Sequence, residues 1–387
     1  IGIRFSPYYG HTLTHVYNYG NMKKIMIGIA IVLLIIVAVR VTGNKGSDET
    51  IKIGSVISLT GFAAPWGEYA KNAMELAVKN INENGGIDGR KVELIVEDDH
   101  TEGKDAVSAY NKLVSLNNVD GVIGGVFDFT AQPLMPLAQN NKIALVSGSN
   151  FRIAGGFDLN DQTFVMLPDF NKVIRELKTY IQKENIKKLA VVHFKSTFGN
   201  EIAKTLDAVM KENGQNGIVN EEYAQIGDNN FRTTIAKLKA QGVEAVFLDM
   251  VGNDPVNFLV QAKQLGFNPK IISYNGVTDS FANEADKSLL EGVVILNWEV
   301  TTSEFSKLYK NAYGIEPTKS ADKYFDAVYV LANAIANSSD KASVASYISK
   351  NSFVTPNGTI RFTPEHAVET VPVEIQVIKN GVATKYQ

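Results

Sequence analysis

The stretch that decides the fold runs from Ile51 to Glu97. It opens with an apolar run, IKIGSVIS (Ile51–Ser58), which is typical of a buried strand. In the next segment, GEYAKNAMELAVKNINEN (Gly67–Asn84), apolar residues recur every three or four positions, as on one face of an α-helix. Two consecutive glycines end that helix, and VELIVE (Val92–Glu97) indicates the next strand. A strand–helix–strand unit of this kind predicts parallel strands joined by a right-handed crossover.

The same alternation continues along the chain. Later strands are predicted at 119–125, 143–147, 163–167, 188–194, 219–224, 245–250, 270–274 and 293–298. Amphipathic helices, among them 171–184 and 200–213, separate most of them, which is typical of parallel sheets covered on both faces. These strands are more numerous than one open sheet usually holds. We therefore predict an α/β protein with two doubly wound parallel-sheet lobes. The tail is predicted to hold three helices, at 302–313, 321–337 and 341–350, that return to the first lobe, followed by strands at 359–362 and 373–378.

The composition excludes several classes of function. The chain has 387 residues, a net charge of −3 and no cysteine, so it offers no basic field for nucleic acid, no disulfide and no thiolate. We find no nucleophile elbow, phosphate loop or dinucleotide turn, and therefore predict no enzyme, no cofactor and no metal. His193 lies in an apolar run and is predicted to be a core residue. Asp98 and Asp99 end a strand and are predicted to form a turn and to cap the helix that starts near Gly103; a catalytic dyad is the alternative.

Residues 1–50 differ from the rest and are predicted to be a leader with a linker. Met22 opens a basic start, and an uncharged run follows from Ile25 to Val39, which is the pattern of an export signal. On this interpretation translation begins at Met22. A cleaved signal, a retained N-terminal membrane anchor and a buried core helix stay open for the apolar run. Either of the first two predicts a protein outside the cytoplasm, in the periplasm or on the outer face of the cell membrane.

Ligands of open α/β sheets bind outside the carboxyl ends of the strands. Those ends supply hydroxyl, amide, carboxylate and aromatic side chains, which bind polar ligands and wall them in. The candidate ligand-binding residues are Trp66, Asp128, Phe129, Thr130, Ser147, Ser149, Asn150, Phe198, Asn253, Asp254 and Asn275. A simpler interpretation stays open for Thr60, Thr130, Ser149 and Asp254, which are also suited to cap the helices that follow them.

The sequence resembles a known family at these same loops. The segments 59–61 (LTG) and 66–67 (WG), the stretch AVKNINENGGIDGR (Ala77–Arg90) and the run VIGG (Val122–Gly125) resemble the type I periplasmic binding proteins. The resemblance is to the branched-chain amino-acid-binding group of transporter receptors. It covers about Ile51 to Gln387 and is strongest before Ser149.

This resemblance implies two lobes joined by a three-crossing hinge, with crossings near 167–170, 297–301 and 356–361. The implied lobes are 51–168 with 299–356, and 169–298 with 357–387. Receptors of this kind close by hinge motion around the ligand.

The resemblance also implies roles for the candidate residues. An aromatic matching Trp66 and loops matching 128–130 and 147–151 hold the ligand's carboxylate, while Phe198 and the loop 251–254 belong to the other lobe. The family's usual acid, which receives the ligand's ammonium, is matched here by a neutral amide.

Two departures from that pattern leave the chemical class of the ligand open. Asn275 stands at the acidic position, and Asp128 stands where a small hydroxyl residue is common. Either Asp128 or Asp254 receives a cation in a rearranged pose, or the ligand is not an ordinary α-amino acid. Amides, urea-like compounds and other small polar metabolites stay open.

The function that follows is capture of a small polar ligand outside the cytoplasm and delivery to the permease subunits of an ABC transporter. The protein is expected to act as a monomer, without nucleic acid, and with membrane contact only through the N-terminal apolar segment if it is retained. The alternative is a sensor ectodomain that reports ligand occupancy to a membrane partner. An amide hydrolase is a third interpretation.

Overall fold

The computed structural model describes residues 50–148, 150, 159–274, 277–278, 287–298, 302–318, 320–369 and 373–387. Three sets of predictions lie outside these residues: the leader up to residue 49, Ser149 and Asn275. Within the described ranges, no helix has both the length and the apolar composition needed to cross a bilayer.

The first sheet contains five parallel strands in the order β2-β1-β3-β4-β5. Its strands are β1 (Ile51–Ile57), β2 (Val92–Asp98), β3 (Gly121–Gly124), β4 (Leu145–Ser147) and β5 (Thr163–Val165). The helices between them are α1 (Ala64–Glu83), α2 (Gly103–Ser115), α3 (Asp128–Ala131) and α4 (Leu134–Asn141). Strands β2 and β3 lie on opposite sides of β1. The direction in which successive strands are added to the sheet therefore reverses at β1. Such a reversal point is where ligands of open α/β sheets bind.

The second sheet contains seven strands in the order β14-β13-β10-β9-β8-β6-β7. Its strands are β6 (Leu189–Phe194), β7 (Ile218–Tyr223), β8 (Ala245–Asp249), β9 (Lys270–Tyr274), β10 (Val294–Asn297), β13 (Glu374–Lys379) and β14 (Val382–Lys385). Its helices are α5 (Phe170–Arg175), α6 (Leu177–Lys183), α7 (Thr197–Glu212), α8 (Arg232–Ala240) and α9 (Asp254–Gln264). The strands from β6 to β10 are parallel as predicted, whereas β13 and β14 add an antiparallel hairpin at the edge.

The tail returns to the first sheet. It holds α10 (Ser303–Tyr313), α11 (Ala321–Ala336), α12 (Val344–Lys350), and the two-stranded sheet of β11 (Phe353–Thr355) and β12 (Gly358–Ile360). Helix α11 is buried on almost every side, including its charged residues Asp322, Lys323 and Asp326, and shares one core with α1 and the first sheet. It is therefore a core helix, and the three tail helices are confirmed. The lobe boundaries, drawn at 168, 298 and 356, stay a prediction.

Two elements differ from the predicted ones. The helix expected from Asn200 begins at Thr197, because Ser196 caps it and accepts a hydrogen bond from the Gly199 N–H at 2.9 Å. Phe198 therefore lies in the first turn of α7 and not in a loop. The single helix predicted over 171–184 is divided into α5 and α6.

Candidate functional site

Three loops meet at the carboxyl edge of the first sheet, because β1, β3 and β4 are parallel neighbours. The loop after β1 is held by Asp98, whose carboxylate accepts hydrogen bonds from the backbone of Leu59 at 2.9 Å and from the Thr60 hydroxyl at 2.7 Å. Burial alone would raise the pKa of Asp98, but these bonds and one from the His100 N–H lower it. The predicted turn is formed, because Asp98 and Asp99 accept hydrogen bonds from the backbone N–H two residues further on, each at 2.8 Å. The predicted cap of α2 is wrong, because Glu102 is the N-cap and no side chain bonds there.

Helix α1 starts against the end of β1. A Cβ on Gly67 would lie 1.8 Å from the Ser58 carbonyl oxygen, so only glycine allows this approach. The approach places Trp66 among three phenylalanines. The rings of Phe127 and Phe129 stack 5.6 Å apart, the ring of Trp66 is 5.7 Å from Phe127, and the ring of Phe62 is also 5.7 Å from Phe127. We call Phe62, Trp66, Phe127 and Phe129 the aromatic cluster.

The loop after β3 turns on Gly125 and is braced from the loop after β4. Gly125 has a φ of +78°, and its carbonyl accepts hydrogen bonds from Ser147 Oγ at 3.2 Å and from Asn150 Nδ2 at 2.9 Å. Both donor side chains are buried. The Thr130 hydroxyl bonds to the backbone of Phe127. Ser147, Asn150 and Thr130 thus shape the loop that carries Asp128.

Asp128 joins the two sheets. One carboxylate oxygen (Oδ2) accepts a hydrogen bond from the Phe198 N–H at 3.1 Å, and the other accepts one from the Phe129 N–H at 2.9 Å. Asp128 follows β3 of the first sheet, whereas Phe198 lies in the first turn of α7 of the second. Burial raises the pKa of Asp128, and these two bonds only partly oppose it. Two residues predicted from different lobes therefore meet in the structure.

The other second-sheet candidates lie apart from this contact or brace their own lobe. Asn253 is exposed. Asp254 is buried and accepts hydrogen bonds from Tyr223 Oη at 3.0 Å and from the Gly227 N–H at 3.1 Å. Phe198 packs on Phe170, with ring centroids 4.7 Å apart.

Asp249, which the sequence reasoning missed, ends β8 beneath the same contact. It is fully buried, and its Oδ1 accepts a hydrogen bond from Tyr274 Oη at 2.7 Å. The pKa of Asp249 is raised to about 7, mainly by burial; the Tyr274 hydrogen bond opposes the increase, and the charge of Asp128 adds to it. The sequence did carry a signal for this residue, because Asp249 is the one charged residue of the apolar run AVFLD in β8. Aspartates are almost never fully buried unless they are paired, so an Asp in such a strand indicates a partner.

His193 is a core residue of β6, as predicted. Its exposure is 0%, its Nδ1 faces the Phe194 carbonyl at 2.9 Å, and its Nε2 faces Asn220 Oδ1 at 3.1 Å. No group of His, Asp and Glu among the residues that the structure describes is arranged to hold a metal ion.

Comparison with known proteins identifies the class. A family model described as "Periplasmic binding protein" matches residues 50–382, and the chain belongs to this family. It has the two-lobed type I fold and falls within the branched-chain amino-acid-binding group, as the resemblance implied.

Three known proteins illustrate the similarity. The "Leucine-, isoleucine-, valine-, threonine-, and alanine-binding protein" of Pseudomonas aeruginosa is 27% identical over 81% of this chain and 86% of its own. A branched-chain amino acid transporter substrate binding protein of Streptococcus pneumoniae, solved with isoleucine, has a TM-score of 0.74 at 22% identity over 87% of this chain and 98% of its own. A solute binding protein of R. palustris, solved with benzoate, has a TM-score of 0.75 at 18% identity over 87% and 95%. The same fold is thus solved with an amino acid and with an aromatic carboxylate, so fold alone does not name the ligand.

Proposed function

We propose that this protein is the extracytoplasmic substrate-binding component of an ABC-type importer and captures a small polar ligand by hinge closure. The observation that carries the proposal is the hydrogen bond from the Phe198 N–H to Asp128, because it joins the loop edges of the two sheets. The aromatic cluster lies beside Asp128 on one edge. The relatives that share the family are named for binding small solutes.

Closure stabilises the complex only if the ligand binds the closed form better than the open form. Asp128 and Trp66 lie on the first-sheet side, and Phe198 lies on the second. A ligand that bridges them would bring the lobes together, and delivery to the permease subunits would then depend on recognition of the closed form. We propose that the protein acts as a monomer in this role.

The test is a thermal-shift screen of the purified protein against amino acids, amides and small carboxylates, followed by titration calorimetry of each hit. A ligand that binds only the native form raises the melting temperature. We expect Trp66→Ala and Asp128→Ala each to weaken binding of a verified ligand by about tenfold or more, since a lost bond to a charged group costs about 1.5–3 kcal/mol.

Two controls accompany this test. The melting temperature of each unliganded variant should stay within a few degrees of wild type, which separates binding from folding. X-ray scattering should show a smaller radius of gyration with ligand than without. Wild-type affinity in both variants would show that the site is misplaced.

A further inference from the structure

Two buried carboxylates, Asp128 and Asp249, lie beside the start of α7, where the two sheets make contact. Asp249 is fully buried, and its Oδ2 has no hydrogen-bond partner among the residues that the structure describes. That oxygen lies 2.9 Å from the point where a Cβ on Gly199 would stand. Gly199 directly follows Phe198, which donates its N–H to Asp128. The free oxygen of Asp249 is therefore aimed at the start of α7, where Asp128 arrives from the other sheet.

No described side chain compensates these two negative charges. Neither carboxylate forms an ion pair with any described residue, and the only side chain bonded to Asp249 is the neutral Tyr274. His193 lies close to Gly199, but its two ring nitrogens face the Phe194 carbonyl and Asn220. An uncompensated buried charge is costly, and an opposite charge with hydrogen bonds is what offsets that cost.

Aromatic rings surround the same place from both sides. The aromatic cluster lies next to Asp128, and Phe198 and Trp298 lie 6.4 Å and 5.6 Å from the ring of Tyr274. The faces of such rings attract organic cations, and Trp binds them best. Carboxylates framed by aromatic rings favour a positively charged ligand and disfavour a carboxylate, which would be repelled by Asp128 and Asp249.

We propose that Asp249, together with Asp128, holds the cationic group of the ligand, and that the ligand is a small organic amine or ammonium compound without a carboxylate beside its charge. This inference rests on the proposed function and specifies the ligand class of that site. Asp249 supplies the charge from the second lobe, which Asn275 does not carry. Asp254 is less suited because Tyr223 and Gly227 already bond to it.

The experiment uses three compounds that share an isobutyl group, 3-methylbutylamine, leucine and 3-methylbutanoate, with choline and putrescine as further cations. Melting temperature and the fluorescence of Trp66 and Trp298, the chain's two tryptophans, report binding. We expect at least one cation to bind, the amine to bind at least about tenfold more tightly than leucine, and 3-methylbutanoate not to bind.

The variant Asp249→Asn tests the residue itself. It keeps the acceptor for Tyr274 and removes the charge, so we expect it to fold and to weaken cation binding by about tenfold or more. Asp207→Asn is the matched control, because Asp207 lies on α7 of the same lobe and pairs with Lys211 and the Ile218 N–H. It should bind cations like wild type.

The outcomes separate this inference from the proposed function. If a neutral or anionic compound binds and no cation does, the cation site is refuted and the receptor function stands. If Asp249→Asn binds the cations as tightly as wild type, the assignment of Asp249 is overturned. If nothing binds in this series or in the wider screen, both proposals fail.

The affinity for a cation should also depend on pH. The pKa of Asp249 is raised to about 7, mainly by burial, with the Tyr274 hydrogen bond opposing the increase and the charge of Asp128 adding to it. The cation needs the ionised carboxylate, so the affinity of the wild type should increase from about pH 5.5 to about pH 8 as Asp249 loses its proton. The increase should be smaller in Asp249→Asn, and an equal increase in both proteins would contradict the role of Asp249.

Discussion

Single residues set the shape of the binding edge. Gly67 allows α1 to begin against the Ser58 carbonyl, and this close approach fixes the position of Trp66. Glycine is needed at position 67 for space and not for an unusual backbone angle, because the φ of Gly67 is not positive. The neighbouring residue Glu68 is exposed and free of such a constraint.

Gly67→Ala should destabilise the protein and weaken ligand binding together. The new Cβ would lie 1.8 Å from a backbone oxygen, so α1 must retreat from β1. Overpacking of this kind costs about 1–3 kcal/mol. Urea unfolding and calorimetry with a verified ligand measure the two effects. Glu68→Ala is the control and should stay within about 0.5 kcal/mol of wild type; a Gly67→Ala protein that matches this control would show that the helix start is adaptable.

At the scale of elements, one network links α10, α11 and the turn between β11 and β12. The Thr302 hydroxyl caps α10 by accepting from the Phe305 N–H at 3.2 Å, and it donates to Asn357 Oδ1 at 2.9 Å. Asn357 Nδ2 donates to Asp326 on α11 at 3.2 Å. Thr302 directly follows the crossing predicted at 297–301, and Asn357 lies in the one predicted at 356–361. The network therefore links these two residues to the core helix α11.

Thr302→Ala should lower the free energy of unfolding by about 1–2 kcal/mol, because it removes the cap of α10 and one bond to Asn357. Thr302→Ser keeps the hydroxyl and should recover most of the loss. Chemical denaturation of the three proteins measures this. Equal stability of the Ala and Ser variants would show that the hydroxyl contributes nothing.

At the scale of the whole molecule, two buried carboxylates among the described residues, Asp249 and Asp326, have strongly raised pKa values. The pKa of Asp326 is raised to about 7, mainly by burial; the charge of Asp322 adds to the increase, while Thr355, Lys323 and Asn357 oppose it. The pKa of Asp249 is likewise raised to about 7, mainly by burial; the Tyr274 hydrogen bond opposes the increase, and the charge of Asp128 adds to it. Because both groups bind protons more tightly in the folded state than in the unfolded state, their contribution to stability decreases as the pH rises from about 4 to about 7.

The double variant Asp249→Asn/Asp326→Asn should therefore gain stability over wild type as the pH rises. The difference in unfolding free energy between variant and wild type should increase by a few kcal/mol between about pH 4.5 and about pH 8, since one pKa unit is about 1.4 kcal/mol. Denaturant unfolding at both pH values, without ligand, measures this difference. A difference that is constant or shrinks with pH contradicts the raised pKa values.

The candidate site was predictable in part. Asp128 and Phe198 were both predicted from strand ends, but their direct contact was not, because it joins residues 70 positions apart on different sheets. Ser147, Asn150 and Asp254 were predicted as ligand-binding candidates, and the structure shows each bonded within its own lobe. Capping and bracing require the same polar residues at strand ends as ligand binding does, so sequence pattern alone cannot separate these roles.

The amino-acid sequence by itself determined the order of strands and helices, the buried face of α1 and the return of the tail helices, because these follow from apolar periodicity along neighbouring residues. Only the tertiary structure decided which strand ends became neighbours. It placed Asp249 under the start of α7 and Asp128 against Phe198, since the sheet order and the crossing of the chain between lobes bring together residues that are distant along the chain. The burial of those two carboxylates, and the ligand charge it implies, exists only in the folded molecule.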